Sequence, residues 1–236
     1  MQVGVIASVN EARADQFSHR TAIVIDVLRA TSTMVAAMKA GAVSIVPAET
    51  VMEARALIRP GDVLGGERFN RKITGFELGN SPLEYRKETI EGKRLILTTT
   101  NGTRAIMKAM RAENILTGAI VNATACARAA MELRRDIVLL CAGSNDEFAI
   151  EDGLCAGLLL DRLESQCQQS FETDDFGTAM LALYRNRADK LLETISQGSA
   201  GRRLIKMGFG RDVEWCSVPD SDDIVPRLNG DALTKC

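Results

Sequence analysis

The chain is poor in histidine and aromatics: 236 residues contain one His, one Trp, two Tyr and seven Phe. A lone His19 excludes a multi-histidine zinc site and histidine-phosphatase chemistry. Neither sign of charge is in excess, since 29 Lys and Arg oppose 31 Asp and Glu for a net charge of −2. With no basic stripe there is no nucleic-acid footprint. No apolar run is long enough to span a bilayer, and the apolar start at residues 3–7 lacks the basic flank and length of a secretory signal. A cytoplasmic protein with no membrane partner is expected. The six cysteines (Cys126, Cys141, Cys155, Cys167, Cys216, Cys236) form no C-x-x-C pair and sit mostly among apolar or helical residues, so reduced thiols and no disulfides are expected. No Cys is followed six positions later by Arg, which excludes a cysteine-phosphatase loop. Neither G-x-x-x-x-G-K-[ST] nor G-x-G-x-x-G occurs.

What is present is a repeated α/β plan. At 46% hydrophobic content the chain can bury a full core. Residues 22–25 read as a buried strand, 33–40 as a helix stopped by Gly41, and 43–46 as the next strand. The plan recurs with strand 95–97, a polar turn, helix 104–111 and strand 114–116. Placing Thr33 on Thr103 also superposes Ala42 on Ala112, Ile45 on Ile115 and Val46 on Leu116. This reads as two duplicated halves, 1–92 and 93–236, with convergence on one α/β pattern as the alternative. A third unit joins strand 137–141 to helix 150–163, whose Leu154, Leu158, Leu159 and Leu163 share a face. The expected fold is one compact α/β unit, a three-layer α/β/α sandwich around a mainly parallel or mixed sheet. Residues 64–85, rich in Gly, Asn and charge, read as a long loop. Further on, a helix spans about 176–194 behind Thr173 or Asp174 as cap, and a basic helix at 201–207 ends at Gly208. Residues 213–218, with Trp215 packed in the core, read as an edge strand.

In open α/β sheets ligands bind beyond the carboxyl ends of strands, so the polar residues there are the candidates. The run Leu95-Ile96-Leu97-Thr98-Thr99-Thr100-Asn101-Gly102-Thr103 leads from a strand through hydroxyls and an Asn-Gly turn into a helix. Unpaired amides and a positive dipole end at such a place suit an oxyanion. The plainer alternative is a strand end, a turn and a cap by Asn101 or Thr103. Asp26 follows four apolar residues, with Arg29, Thr31, Ser32 and Thr33 beside it. A carboxylate there must be solvated, paired or metal-bound, and the alternatives to catalysis are an ion pair with Arg29 or a backbone cap. Glu67 with Arg68, and Glu151 with Asp152, supply further acids. Oxygen ligands of this kind suit Mg²⁺, although Glu151 and Asp152 also complement a helix dipole. Ser144, Asn145, Asp146 and Glu147 follow the third strand. Asp26 to Thr31 is similar to the aspartyl loop of haloacid dehalogenase phosphatases, but the second Asp of that motif is Leu28 here.

Taken together, Ile25-Asp26-Val27-Leu28-Arg29-Ala30-Thr31-Ser32-Thr33, Gly65-Gly66-Glu67-Arg68, Gly75-Phe76-Glu77-Leu78-Gly79-Asn80-Ser81-Pro82, Thr99-Thr100-Asn101-Gly102-Thr103, Cys141-Ala142-Gly143 and Glu151-Asp152-Gly153 resemble the 2-phosphosulfolactate phosphatase family, in order along nearly the whole chain. The resemblance implies a Mg²⁺-dependent phosphatase converting (2R)-2-phospho-3-sulfolactate to (2R)-3-sulfolactate and phosphate, a step of coenzyme M biosynthesis in some archaea. On that reading Asp26, Arg29, Glu67 and Arg68 are catalytic, and Asp26, Glu67, Glu151 and Asp152 bind the metal. Thr31, Ser32, Thr33, Asn80, Ser81, Thr99, Thr100, Asn101, Gly102, Thr103, Arg104 and Ser144 bind substrate. Arg202, Arg203 and Lys206 could reach the sulfonate, the alternative being a solvated helix face. The partner is a small anionic organophosphate, and a homodimer is the prior for such an enzyme. A lyase or transferase on a phosphorylated hydroxy acid, or a non-catalytic anion-binding module, are the rival readings; four acids near one ligand favour the metal phosphatase.

Overall fold

The run Thr21–Ile25 is buried along its length and its side chains divide by parity: Ala22 and Val24 enter one apolar cluster, Ile23 and Ile25 another. A strand with two apolar faces needs helices on both sides. The computed structural model describes residues 1–166 and 171–236, so Cys167 lies outside the described residues. The chain runs β1 (Gln2–Ile6), β2 (Thr21–Ile25), α1 (Ala30–Lys39), β3 (Ser44–Pro47), α2 (Val51–Leu57), β4 (Val63–Arg68), β5 (Arg71–Lys72), α3 (Lys87–Ile90), β6 (Arg94–Thr98), α4 (Gly102–Lys108) and β7 (Asn114–Gly118). It continues through α5 (Ala123–Glu132), β8 (Ile137–Cys141), α6 (Ile150–Gln166), β9 (Glu172–Thr173), α7 (Asp175–Arg187), α8 (Leu191–Gln197), α9 (Ser199–Lys206), α10 (Gly210–Cys216), β10 (Pro226–Asn229) and β11 (Ala232–Lys235).

These strands form one mixed sheet in the order β5-β4-β6-β3-β11-β10-β7-β2-β8-β1-β9. Two parallel blocks, β4-β6-β3 and β7-β2-β8-β1-β9, flank the β10–β11 hairpin. Three successive antiparallel pairings across that hairpin make the blocks run in opposite directions. Counted outward from the hairpin, β3 matches β7, β6 matches β2 and β4 matches β8. The units β2-α1-β3 and β6-α4-β7 therefore occupy matched places, and strands from 1–92 interleave with strands from 93–236. Helices α1 and α4 cover one face, where Met34, Val35 and Ile106 pack on Val24, Ile45 and Leu95. On the other face α5 and α6 lie over the larger block and α2 over the smaller, giving the three layers expected.

Several local expectations are corrected. Residues 63–68 are a strand, not loop: Gly65 and Gly66 are there because β4 presses against its neighbours, and a Cβ would lie 2.4 Å from the Tyr85 hydroxyl at Gly65 and 2.0 Å from the Thr98 carbonyl at Gly66. Residues 213–218 are largely helix α10; Val213 and Cys216, three apart, are buried while Trp215 is half-buried, a helical period. The 176–194 helix divides at a short 3₁₀ turn, Ala188–Lys190. Helix α1 starts three residues early because Asp26 caps it. Strand β1 and the C-terminal hairpin were not anticipated. Among the described cysteines, Cys126, Cys141, Cys155 and Cys216 are free and buried, and Cys236 is free and exposed. No described helix is long and apolar enough to cross a membrane.

Candidate active site

The β2–α1 turn is built around Asp26. Its Oδ1 accepts from Ala30 N at 3.2 Å and its carbonyl from Thr31 N at 3.0 Å, which starts α1. Thr31 Oγ1 donates to the Asp26 carbonyl at 2.8 Å and accepts from Asp26 N, while Ser32 Oγ donates to the Val27 carbonyl. The second carboxylate oxygen, Oδ2, takes no hydrogen bond from the described residues and faces a cleft. Burial, opposed by the Ala30 amide and aggravated by the charges of Glu67 and Glu151, raises the Asp26 pKa to about 7. The nearby Arg29 does not form the ion pair considered from sequence. It is buried, donates to Asp212 Oδ2 at 2.6 Å and lies 4.3 Å over the Phe209 ring. Ser81 Oγ donates to the other Asp212 oxygen at 2.8 Å.

The β6–α4 turn meets the first one. Thr99 Oγ1 accepts from Thr103 N at 3.1 Å, and Thr103 Oγ1 donates to the Thr99 carbonyl at 3.0 Å, so Thr99 rather than Asn101 or Thr103 supplies the side-chain cap. Gly102 is the close approach: a Cβ there would lie 2.3 Å from Ala30 Cβ and 2.7 Å from Asp26 Oδ2. Glu67, at the end of β4, ties the turn down. Its Oε1 accepts from Thr100 N and Oγ1, both at 2.8 Å, and its Oε2 from Asn70 N at 2.6 Å.

Helix α6 brings the third set. Both Asp152 oxygens accept backbone amides, Val27 N at 2.8 Å and Gly143 N at 2.9 Å, so this acid clasps the β2 and β8 turns together. Burial and the charges of Asp26 and Glu151 push its pKa upward. Glu151 is buried, its Oε2 has no partner among the described residues, and burial raises its pKa too. Beyond β8, Ser144 Oγ accepts from Arg203 Nη2 at 2.7 Å.

A cleft of about 90 Å³ gathers Asp26, Arg29, Glu67, Asn80, Thr100, Asn101 and Ser144 from the candidates, with Leu28, Phe69, Asn70, Asn145 and Arg203. A larger hollow of about 520 Å³ against Lys39, Arg128 and Asp222 shares no residue with it. Other candidates stand elsewhere. Arg68 donates to the Glu67 and Glu49 carbonyls and to Thr98 Oγ1, and Arg104 to Asp146 and Asn10, so neither guanidinium lines the cleft. Thr31, Ser32 and Thr33 turn their hydroxyls onto backbone carbonyls, Thr33 onto that of Asn80 at 2.8 Å. Ser81, Thr99 and Thr103 brace the walls. Arg202 bonds the Gln197 carbonyl and Lys206 is exposed, leaving Arg203 as the member of that trio at the site. Phe69 is no candidate from the sequence, though, 85% exposed at φ 54°, it adjoins the Gly-Gly-Glu-Arg segment.

Residues from the β2–α1, β4, β6–α4 and β8 segments line this one cleft. A family model for 2-phosphosulpholactate phosphatase matches residues 6–231. The chain belongs to the 2-phosphosulfolactate phosphatase family. Relatives of that family include a protein of Thermotoga petrophila, 42% identical over 220 residues and covering 92% of each chain, and one of Caldanaerobacter subterraneus subsp. tengcongensis, 39% identical over 231 residues, 96% of this chain and 95% of the relative. A Clostridium novyi protein is 35% identical over 238 residues, the full length of both. Each bears the name "Probable 2-phosphosulfolactate phosphatase". Among the described residues that line the cleft, Asp26 Oδ2 and Arg203 Nε have no protein partner, and Asn80, Asn101 and Asn145 add side-chain amides.

Proposed function

We propose that this protein is a phosphoric monoester hydrolase that releases phosphate from 2-phospho-3-sulfolactate, as its family's name describes. The observation that carries the reading is Asp26: one oxygen fixed by the helix it caps, the other open to a polar cleft, with a pKa near 7. A carboxyl group titrating near neutrality suits proton transfer. Asp26 would take the proton from the water that attacks phosphorus. The side-chain amides of Asn80 and Asn101 line the cleft where charge develops on the equatorial oxygens.

Among the described residues no three Asp, Glu, His or Cys side chains form a cage for a metal ion. The residues nonetheless fit Mg²⁺, which uses one or two carboxylates and completes its shell with water and substrate. Asp26 and Glu67 crowd negative charge at the cleft, and Glu151 has a buried oxygen with no donor. Asp26 and Glu67, the two acids that line the cleft, would hold the ion through water. Asp152, which lies off the cleft with both oxygens on backbone amides, would act as their brace rather than as a ligand. When bound, Mg²⁺ supplies positive charge to the phosphoryl oxygens.

The test is phosphate release from purified protein with and without Mg²⁺, on 2-phosphosulfolactate and on p-nitrophenyl phosphate. Mg²⁺-dependent release that prefers the sulfonated ester is expected; no release from either would overturn the reading. Inversion of configuration at a chiral phosphoryl group is the expected course, and retention would make Asp26 the nucleophile instead.

A further inference from the structure

Arg203 projects from α9 with its Nε buried and without an acceptor among the described residues, while its Nη2 is held by Ser144 Oγ at 2.7 Å. A buried N–H left unpaired is destabilising, so such a donor points to an acceptor that the described residues do not supply. Arg29 does not compete for this role, being locked between Asp212 and Phe209. Position adds a second argument. Ser144, Asn145 and Arg203 form the shared wall between the reactive cleft of about 90 Å³ and an adjoining chamber of about 420 Å³. The chamber lies off the Asp26 turn, and Glu147, Phe148, Ile150, Glu151 and Arg202 are among its walls. Its size and lining suit the part of a substrate that does not react.

We infer that Arg203, steadied by Ser144, seats the second acid group of the substrate, a sulfonate or carboxylate, and so restricts the enzyme to phosphate esters that carry one. The inference rests on the hydrolase reading given above. A guanidinium edge offers two parallel N–H donors, a match for two oxygens of one acid group that a lysine ammonium cannot reproduce. Glu151, whose charge attracts Arg203, lies on the same side and helps keep the guanidinium in place.

The experiment compares wild type with Arg203→Met and Arg203→Lys. It reads kcat/KM for 2-phosphosulfolactate and p-nitrophenyl phosphate, and calorimetric binding of 3-sulfolactate. Losing a charged, two-pronged contact should lower kcat/KM for the sulfonated ester about 10- to 100-fold more than for p-nitrophenyl phosphate, and weaken 3-sulfolactate binding to a similar degree. Arg203→Lys should recover part of the binding. Equal losses on both esters, or 3-sulfolactate binding that survives Arg203→Met, would overturn the assignment. Should Arg203→Met not fold, Ser144→Ala reads the same discrimination with a smaller expected change, and an unchanged preference there overturns it. If wild type releases phosphate from neither ester, the hydrolase reading fails, and 3-sulfolactate binding by wild type and variants still decides the role of Arg203.

Discussion

The β2–α1 and β6–α4 turns occupy matched places across the central hairpin, yet they do opposite things. The first is charged and self-contained: Asp26 caps its own helix, and Thr31 and Ser32 fold their hydroxyls back onto the turn. The second carries no charge of its own, is tied to Glu67 through Thr100, and begins its helix with a residue that has no side chain. Where the two helices start, Ala30 and Gly102 face each other, and only a glycine leaves room for the Asp26 carboxylate between them. A repeated scaffold thus becomes a site by divergence. One turn supplies the reactive group, the other supplies space and amide donors. The most direct break is Asp26→Asn, which keeps the shape and removes the base. Turnover should fall by about 10³-fold or more with the circular dichroism spectrum unchanged. Activity within a few-fold of wild type would show that the two turns are not divided in this way.

Filling the space is the next largest perturbation. In Gly102→Ala the new methyl meets Ala30 Cβ and Asp26 Oδ2. Overpacking of this kind costs about 1–3 kcal/mol, and displacement of the reactive carboxylate should reduce kcat by about 100-fold. Adding Ala30→Gly removes one of the two clashes. Urea unfolding of the double variant should recover part of the stability while kcat remains low, because the contact with Asp26 persists. Recovery of both would mean that the glycine serves helix packing alone.

How much of this contrast was legible depended on whether a residue's role is local. The strand–turn–helix rhythm and the buried sheet follow from apolar runs that end in polar residues, and the structure has strands where residues 22–25, 95–97 and 137–141 put them. The strands of 63–68 and 226–235 were missed because glycine and proline read as loop until a neighbouring backbone is known. Gly66 is where it is because the Thr98 carbonyl passes beside it, a fact absent from the local string. The cations follow the same rule. Arg68 and Arg104 lie next to the right motifs, but their reach is fixed by Glu49, Thr98 and Asp146. Arg203, more than a hundred residues from Asp26, arrives through tertiary packing.

Titration sharpens the comparison, since only the charged turn should respond to pH. Asp26 has a folded pKa of about 7 against the usual 3.8. Between those values the folded state keeps a proton that the unfolded state has lost, so stability falls as pH rises through the window, and the full penalty is present above about pH 7. Glu151 and Asp152, also raised by burial, act in the same direction. With chelator present, wild type should lose a few degrees of Tm relative to Asp26→Asn between pH 5 and pH 8. Mg²⁺ should raise the wild-type Tm more at pH 8 than at pH 5, when the carboxylate is ionised and free to hold it. Parallel Tm curves for the two proteins, with no differential effect of Mg²⁺, would remove Asp26 from both roles.

The smallest expected effect tests the uncharged turn by itself. Thr99→Ala deletes the hydroxyl that accepts from Thr103 N and leaves the Glu67–Thr100 tie intact. Loss of one helix cap costs about 1 kcal/mol, which denaturant unfolding resolves. Because Thr99 is buried in the wall and does not line the cleft, kcat should change less than the stability would suggest, by no more than a few-fold. A loss of turnover on the scale of Gly102→Ala would mean that the cap sets the position of the Asn101 amide, and that the second turn, like the first, is tuned for the reaction down to its hydroxyls.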